Sequence, residues 1–246
     1  MSRGFRLGLF AASAVGLAAL LLWGVAGLPD FGHYAGPYGY VLNAVAPNER
    51  HVTNVVTATV FDYRGFDTLG EEFILFSAAM GVALLLRDVR DEEREPPEDG
   101  IRSDAVRLVG VALVPVLVAL GLYVVAHGFI TPGGGFQGGV VLASAFLVVW
   151  LAGEYRAFRR LTPTPAVDLV KGSGAGGYVV VGLAALLLGN AFLHNFGPLG
   201  TAGTLASGGS ALLLNLASAL EVAAAFVLIF TEFGEELVNV RLRGGG

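Results

Sequence analysis

Six stretches of this chain are apolar enough to leave water. They run Leu7–Leu28, Phe73–Leu86, Val106–Ala126, Phe136–Ala152, Gly174–Leu193 and Ala211–Phe230. Most approach about 20 residues, the helix length that crosses a hydrocarbon layer of ~30 Å. The second is shorter and reaches spanning length only with Thr68–Glu72 added at its start. Helices are the predicted element throughout, because isolated strands would leave backbone groups unpaired in lipid. Arg3 and Arg6 before the first run, and Gly24-Val25-Ala26 near its end, imitate a secretory signal. That run is about twice the length of a signal core, so it is read as a span. The pattern predicts an all-α, polytopic membrane protein of about six transmembrane helices.

Composition agrees with the pattern. Hydrophobic residues make up 54 % of the chain and charged residues 14 %, against about 25 % charged in soluble domains. The absence of cysteine excludes thiolate ligation of an iron–sulfur cluster, disulfides and cysteine nucleophiles, and no cofactor is expected. Charge sets the orientation. With the N-terminus inside, thirteen Lys and Arg fall on the inner side, from Arg3 and Arg6 through Lys171 to Arg243; only Arg50 and Arg64 fall outside. This split follows the positive-inside rule and requires an even number of spans. Both termini are expected in the cytoplasm, and the protein in the cell (inner) membrane.

Between the second and third runs, the charged sequence RDVRDEEREPPEDGIR carries both signs and two prolines, the composition of a solvated connection. It divides the chain into a two-span module (1–90), a cytoplasmic linker (91–104) and a four-span module (105–246). In the second module His127-Gly128-Phe129 and His194-Asn195-Phe196 each lead through a glycine-rich loop into a span, which suggests two parallel hairpins.

The densest motif is Pro132-Gly133-Gly134-Gly135-Phe136-Gln137-Gly138-Gly139, between the third and fourth runs. Proline lacks an amide hydrogen and glycines accept backbone angles closed to other residues. The segment is therefore either a tight interhelical turn or irregular backbone offering bare polar groups to an ion or partner. The glycine-rich segment Gly203–Asn215 is read chiefly as close helix packing. Gly172–Gly177 has dinucleotide-loop spacing, but no strand precedes it and the βαβ context is missing.

Glu221 lies near the middle of the last run. A carboxylate there costs roughly 2.5–3.5 kcal/mol unless protonated, paired or wetted. Ala217, Ser218, Ala224 and Ala225 share its helical face, so that face packs inward. It is either a proton- or sodium-relaying group or a neutral acid in a structural hydrogen bond. His127 closes the third run, where an imidazole serves as anchor or proton switch. His33, His51 and His194 show no metal-ligand spacing, and no metal site is expected. Ahead of the second run lie Asp62, Arg64, Asp67, Glu71 and Glu72. Arg64 is placed to pair with a nearby acid such as Asp62, and the two glutamates suit a helix N-terminus. The preceding TNVVTATVF is read as an interfacial, partly buried segment.

With these residues assembled, Val106–Phe233 resembles the B subunit of Mrp-type multisubunit Na+/H+ antiporters, the MnhB family. The resemblance rests on HGFITPGGGFQGG, Gly203-Thr204-Leu205, Ser207-Gly208-Gly209, Leu213-Leu214-Asn215, Leu220-Glu221-Val222 and Ile229–Phe233. Asn54–Arg87 resembles the C-terminal end of the large A subunit of the same antiporters, and the corresponding small E-type component of membrane-bound hydrogenases. The residues that carry it are Asn54-Val55-Val56, Asp62 and Arg64–Glu71. The resemblance implies a fusion of two neighbouring subunits and, with them, Na+ efflux coupled to H+ influx. The expected partners are the other subunits of such an antiporter or of a hydrogenase membrane arm, together with the lipid bilayer; nucleic acid is not among them. Ion-path or proton-relay candidates are Glu221, Glu71, Asp67 and His127, and a role is carried to Glu71 but not to Glu72. Three readings stand: an antiporter subunit, the membrane arm of a Na+-translocating redox complex, and a purely structural assembly subunit. No nucleophile–base pair or phosphate loop points to an enzyme.

Overall fold

The computed structural model describes residues 3–28, 32, 36–90, 103–152 and 155–244. The predicted linker 91–104 lies outside them except for Ser103 and Asp104. The described residues form helices and connecting loops, without strands. The helices are α1 (Arg3–Ala26), α2 (Tyr38–Arg50), α3 (Val55–Ala58), α4 (Gly65–Arg90), α5 (Asp104–Ala126), α6 (Gly135–Leu151), α7 (Tyr155–Leu161), α8 (Thr164–Leu187) and α9 (Ala211–Gly244). A single wide π-turn, Thr59–Tyr63, joins α3 to α4.

The chain divides into two compact units, Met1–Val41 and Leu42–Gly246. The first contains α1, whose stretch Leu7–Ala26 is long and apolar enough to cross a membrane. In the second unit α9 is the hub: α4, α6 and α8 all pack along it, and α5 pairs with α6. The reason lies in the small residues of α9 and its neighbours. Ala217, Ala219, Ala224 and Ala225 are buried, and glycines face them. A Cβ on Gly135 would stand 2.3 Å from the Asn215 carbonyl oxygen, and one on Gly174 would stand 2.5 Å from the Glu221 nitrogen. Neither site has room for a side chain, so these backbones meet directly, as membrane helices with small faces do. The dinucleotide-like glycine run is thus a helix-crossing surface.

Among the described residues five helical stretches have spanning length: Leu7–Ala26, Gly65–Leu86, Asp104–Ala126, Thr164–Leu187 and Ala211–Gly234. The apolar α6 has 17 residues, about 26 Å at 1.5 Å per residue, and is the short sixth member. One predicted run is corrected. The fifth span begins at Thr164 instead of Gly174 and ends at Leu187 instead of Leu193. Pro165 at the helix start needs no amide partner, and Gly189 at φ +82° turns the chain away beyond the far end. Asp168 and Lys171 hide the first turns of α8 from the hydropathy pattern. Lys171, which the charge pattern assigns to the inner side, is therefore inside the helix and only 2 % exposed.

Candidate functional site

The glycine motif forms the connection between α5 and α6, and its polar groups are tied down from two sides. Asn54 caps α3, its Oδ1 accepting from the Val56 and Thr57 amides. The same side chain donates through Nδ2 to the carbonyls of Gly128 (2.8 Å) and Thr131 (2.9 Å). The Thr57 hydroxyl also donates to Gly128 (2.6 Å), and the Thr53 hydroxyl to Ile130 (2.6 Å). The Thr53 and Asn54 amides both donate to Phe129 at 3.2 Å. On the other side Asn215 of α9 accepts from the Gly135 amide (2.6 Å) and donates to the Val125 carbonyl (3.0 Å). It thereby caps α6 and ends α5 with one fully buried side chain. Gly134, at φ +139°, takes a backbone angle that only glycine adopts without strain.

The second loop is fixed in a similar way. Asn195 donates to the Asp62 carboxylate (2.6 Å) and the Gly208 carbonyl (3.0 Å), and accepts from the Ser210 amide and hydroxyl. Asp62 is also paired with Arg50 at 3.2 Å. Arg64 pairs instead with Asp67, three residues on, and both are exposed. Nearby, Tyr63 donates to the Glu49 carboxylate at 2.7 Å. Desolvation and that acceptor push the phenol up to about 12.

Deeper in the bundle the polar groups are not satisfied. Glu72 on α4 and Glu221 on α9 are both fully buried. Glu72 lies two turns before Ala79, and Glu221 about one turn before Ala225, which packs against Ala79. That register brings the two carboxyl groups side by side, with Lys171 of α8 within electrostatic reach. Apart from one another, the two carboxyl groups have no hydrogen-bond partner among the described residues, and the buried hydroxyl of Ser218, one turn before Glu221, has none. Lys171 Nζ rests 3.0 Å from Met80 Sδ and 5.2 Å from the centre of the Phe76 ring, and its Asp168 partner is 3.5 Å away. Two acids and one base thus share an apolar interior at the meeting of three helices.

Glu221 is the only sequence-derived candidate found in this cluster. Glu71 is exposed and lines a cavity of about 180 Å³ together with Thr57, Thr68, Gly133, Gly134 and Gln137. Asp67 is held in its surface pair. His127 caps α5 and stacks on Tyr123 with ring centroids 4.0 Å apart. Of the glycine motif, Gly134, Gly135, Gly138 and Gly139 are buried, Gly133 and Phe136 are half-buried, and Pro132 and Gln137 are exposed. Sequence reasoning does not single out Glu72 or Lys171. The small-face test that picks Glu221 passes over Glu72, whose neighbours at three and four positions are Thr68, Leu69, Leu75 and Phe76.

The family model described as a domain related to the MnhB subunit of Na+/H+ antiporter matches residues 105–228, half of the chain. The chain belongs to the MnhB-related family. A second family model, MbhE, describing a component of the MBH complex, matches residues 8–103 of the same chain. Glu72 falls in that second match; Lys171 and Glu221 fall in the MnhB-related part. An uncharacterized protein of Methanocaldococcus jannaschii is 32 % identical over 164 residues, which cover 59 % of this chain and 61 % of that protein. A chain of the archaeal membrane-bound sulfane sulfur reductase (MBS), a respiratory membrane complex, superposes with a TM-score of 0.69 at 30 % identity. That superposition covers 93 % of this chain and 98 % of the other. A chain of the Mrp complex from Dietzia sp. DQ12-45-1b also gives 0.69, at 25 % identity, covering 95 % of this chain and 26 % of that larger one. With its apolar helices, this MnhB-related chain is a multi-pass membrane protein.

Proposed function

We propose that the chain is a membrane component of a multisubunit cation/proton antiporter assembly, exchanging Na+ for H+, and that it supplies part of an ion path. The observation that carries this reading is the carboxyl pair Glu72–Glu221, buried beside Lys171 with no hydrogen-bond donor from any other described residue. Ionisable groups in a membrane interior are costly, and function is the usual reason they persist. A scaffold would close such groups with donors, as the loops described here do. The two family matches support a join of two modules, 1–90 and 105–246, through the charged segment 91–104. Other subunits of the assembly are the partners, the cell membrane is the location, and both termini face the cytoplasm. An extracellular reporter signal from a C-terminal fusion would overturn that orientation.

The decisive experiment is Glu221→Gln in the assembled complex, assayed for Na+-driven proton movement in inverted vesicles and for co-purification of the other subunits. Loss of transport with retained assembly is expected. Undiminished transport would leave only a structural role. One observation favours a second reading, the membrane arm of a redox-driven complex: the sulfane sulfur reductase chain matches this one almost end to end. Iron–sulfur signals in the purified native complex would decide for that reading.

A further inference from the structure

Three positions on three helices determine the charge of the buried cluster. Glu72, Glu221 and Lys171 are each at most 2 % exposed, so solvent does not screen them. If both carboxylates were ionised, the cluster would carry one net negative charge in a medium where like charges at contact repel strongly. If both were neutral, the ammonium would keep only Asp168, a half-exposed carboxylate 3.5 Å away whose charge water screens, beside a thioether and an aromatic ring. Those soft acceptors stabilise a cation without cancelling it. One proton on the pair makes the sum zero.

We propose that Glu72, Glu221 and Lys171 form one charge-neutral site that binds a single exchangeable proton, shared between the two carboxylates. As the proton transfers, the O–H bond on one glutamate breaks while that on the other forms, and no electron changes owner. Lys171 is the counter-charge that keeps the second proton out. Asp168, one turn earlier on α8 and half exposed, already lies 3.5 Å from Lys171 and is the group that holds the ammonium when the pair takes up a second proton. At the other end, Tyr178 of α8 donates to the Gly65 carbonyl (2.9 Å) and lies beside the Thr68 hydroxyl, which borders the 180 Å³ cavity. From Asp168 to Tyr178 the line of polar groups runs about 15 Å along α8 at 1.5 Å per residue. The next acid on α9, buried Glu232, lies three turns beyond Glu221, and Glu235 and Glu236 follow it in the sequence of the helix. The facing helix α6 carries no titratable side chain.

This inference rests on the ion-path reading but is tested apart from it. The full-length chain in lipid nanodiscs at neutral pH is examined by infrared difference spectroscopy in the band of protonated carboxylic acids. Glu221→Gln and Glu72→Gln should each remove the same whole band, because the surviving acid ionises against Lys171. Lys171→Met should double it, since both acids then take protons. The double variant Glu72→Gln/Lys171→Met should restore one band, a rescue that misfolding does not produce. Halving of the band by each single glutamine variant, or no change on Lys171→Met, would overturn the shared proton. Failure of the ion-path reading looks different: coupled transport would survive Glu221→Gln while the infrared pattern held.

Discussion

The glycine loop between α5 and α6 and the carboxylate cluster between α4, α8 and α9 are both assembled from the two matched segments of the chain, yet they treat polar groups in opposite ways. In the loop, four successive carbonyls, Gly128 to Thr131, receive donors from Thr53, Asn54 and Thr57, and Asn215 closes the far side. In the cluster, four carboxyl oxygens have none from outside the pair. A buried polar group without a partner costs about 1–3 kcal/mol, and a charged one more. The loop avoids that cost and becomes a rigid joint. The cluster bears it, which leaves its oxygens free for a proton. Motif density is therefore a poor guide to open polar groups here: the glycine-rich signature is closed by hydrogen bonds, and two plain glutamates are left without outside donors.

The sharpest break between the regions is expected from volume. Gly135→Val would drive a side chain into the Asn215 backbone, with the first carbon already at 2.3 Å. Overpacking of this kind costs typically ~1–3 kcal/mol and occasionally more. Folded protein should disappear from membranes in a detergent-solubility and size-exclusion assay. Glu72→Gln should do the reverse, lowering coupled transport by roughly 10²-fold while the thermal midpoint of the purified chain holds. A large drop in that midpoint would make Glu72 a packing residue and erase the contrast.

Smaller effects test the loop. Asn215→Ala removes a buried cap and should destabilise by about 1–3 kcal/mol, read as a lower thermal midpoint. Asn54→Ala, at a half-buried position, should cost about 1–2 kcal/mol and increase proteolysis between α2 and α4. The mildest effect belongs to Tyr63. Its phenol is raised from 10.0 to about 12, so the folded state holds the proton more tightly than the unfolded chain does. That stabilising contribution is full below pH 10.0 and is lost as pH rises through about 12. Tyr63→Phe should lower the thermal midpoint slightly at neutral pH and remove the further loss of stability across this alkaline window.

Much of this is legible along the chain. Apolar runs mark the spans, the Pro-Gly-Gly-Gly motif marks a special connection, and the cost of a carboxylate in lipid singles out Glu221. Glu72 is obscured by its neighbour. Adjacent helical residues point about 100° apart, and α4 is apolar enough all round that no stripe tells which glutamate turns inward. Lys171 is hidden because a hydropathy run stops at a charge even when the helix continues through it. His127 and the Asp67–Arg64 pair carry polar chemistry in the sequence, but their contacts are local, within a turn of their own helix.

Taken alone, the sequence determined that the chain is a set of apolar, membrane-crossing helices and which residues are costly there. Both are sums over neighbouring positions, and a chain carries them whatever its fold. Only the tertiary structure decided that Glu72, Lys171 and Glu221 meet. Their encounter depends on the rotation and register of three helices, set where Gly174 touches the backbone of Glu221 and Ala79 packs on Ala225. Those contacts join residues far apart in the chain, so no local pattern encodes them.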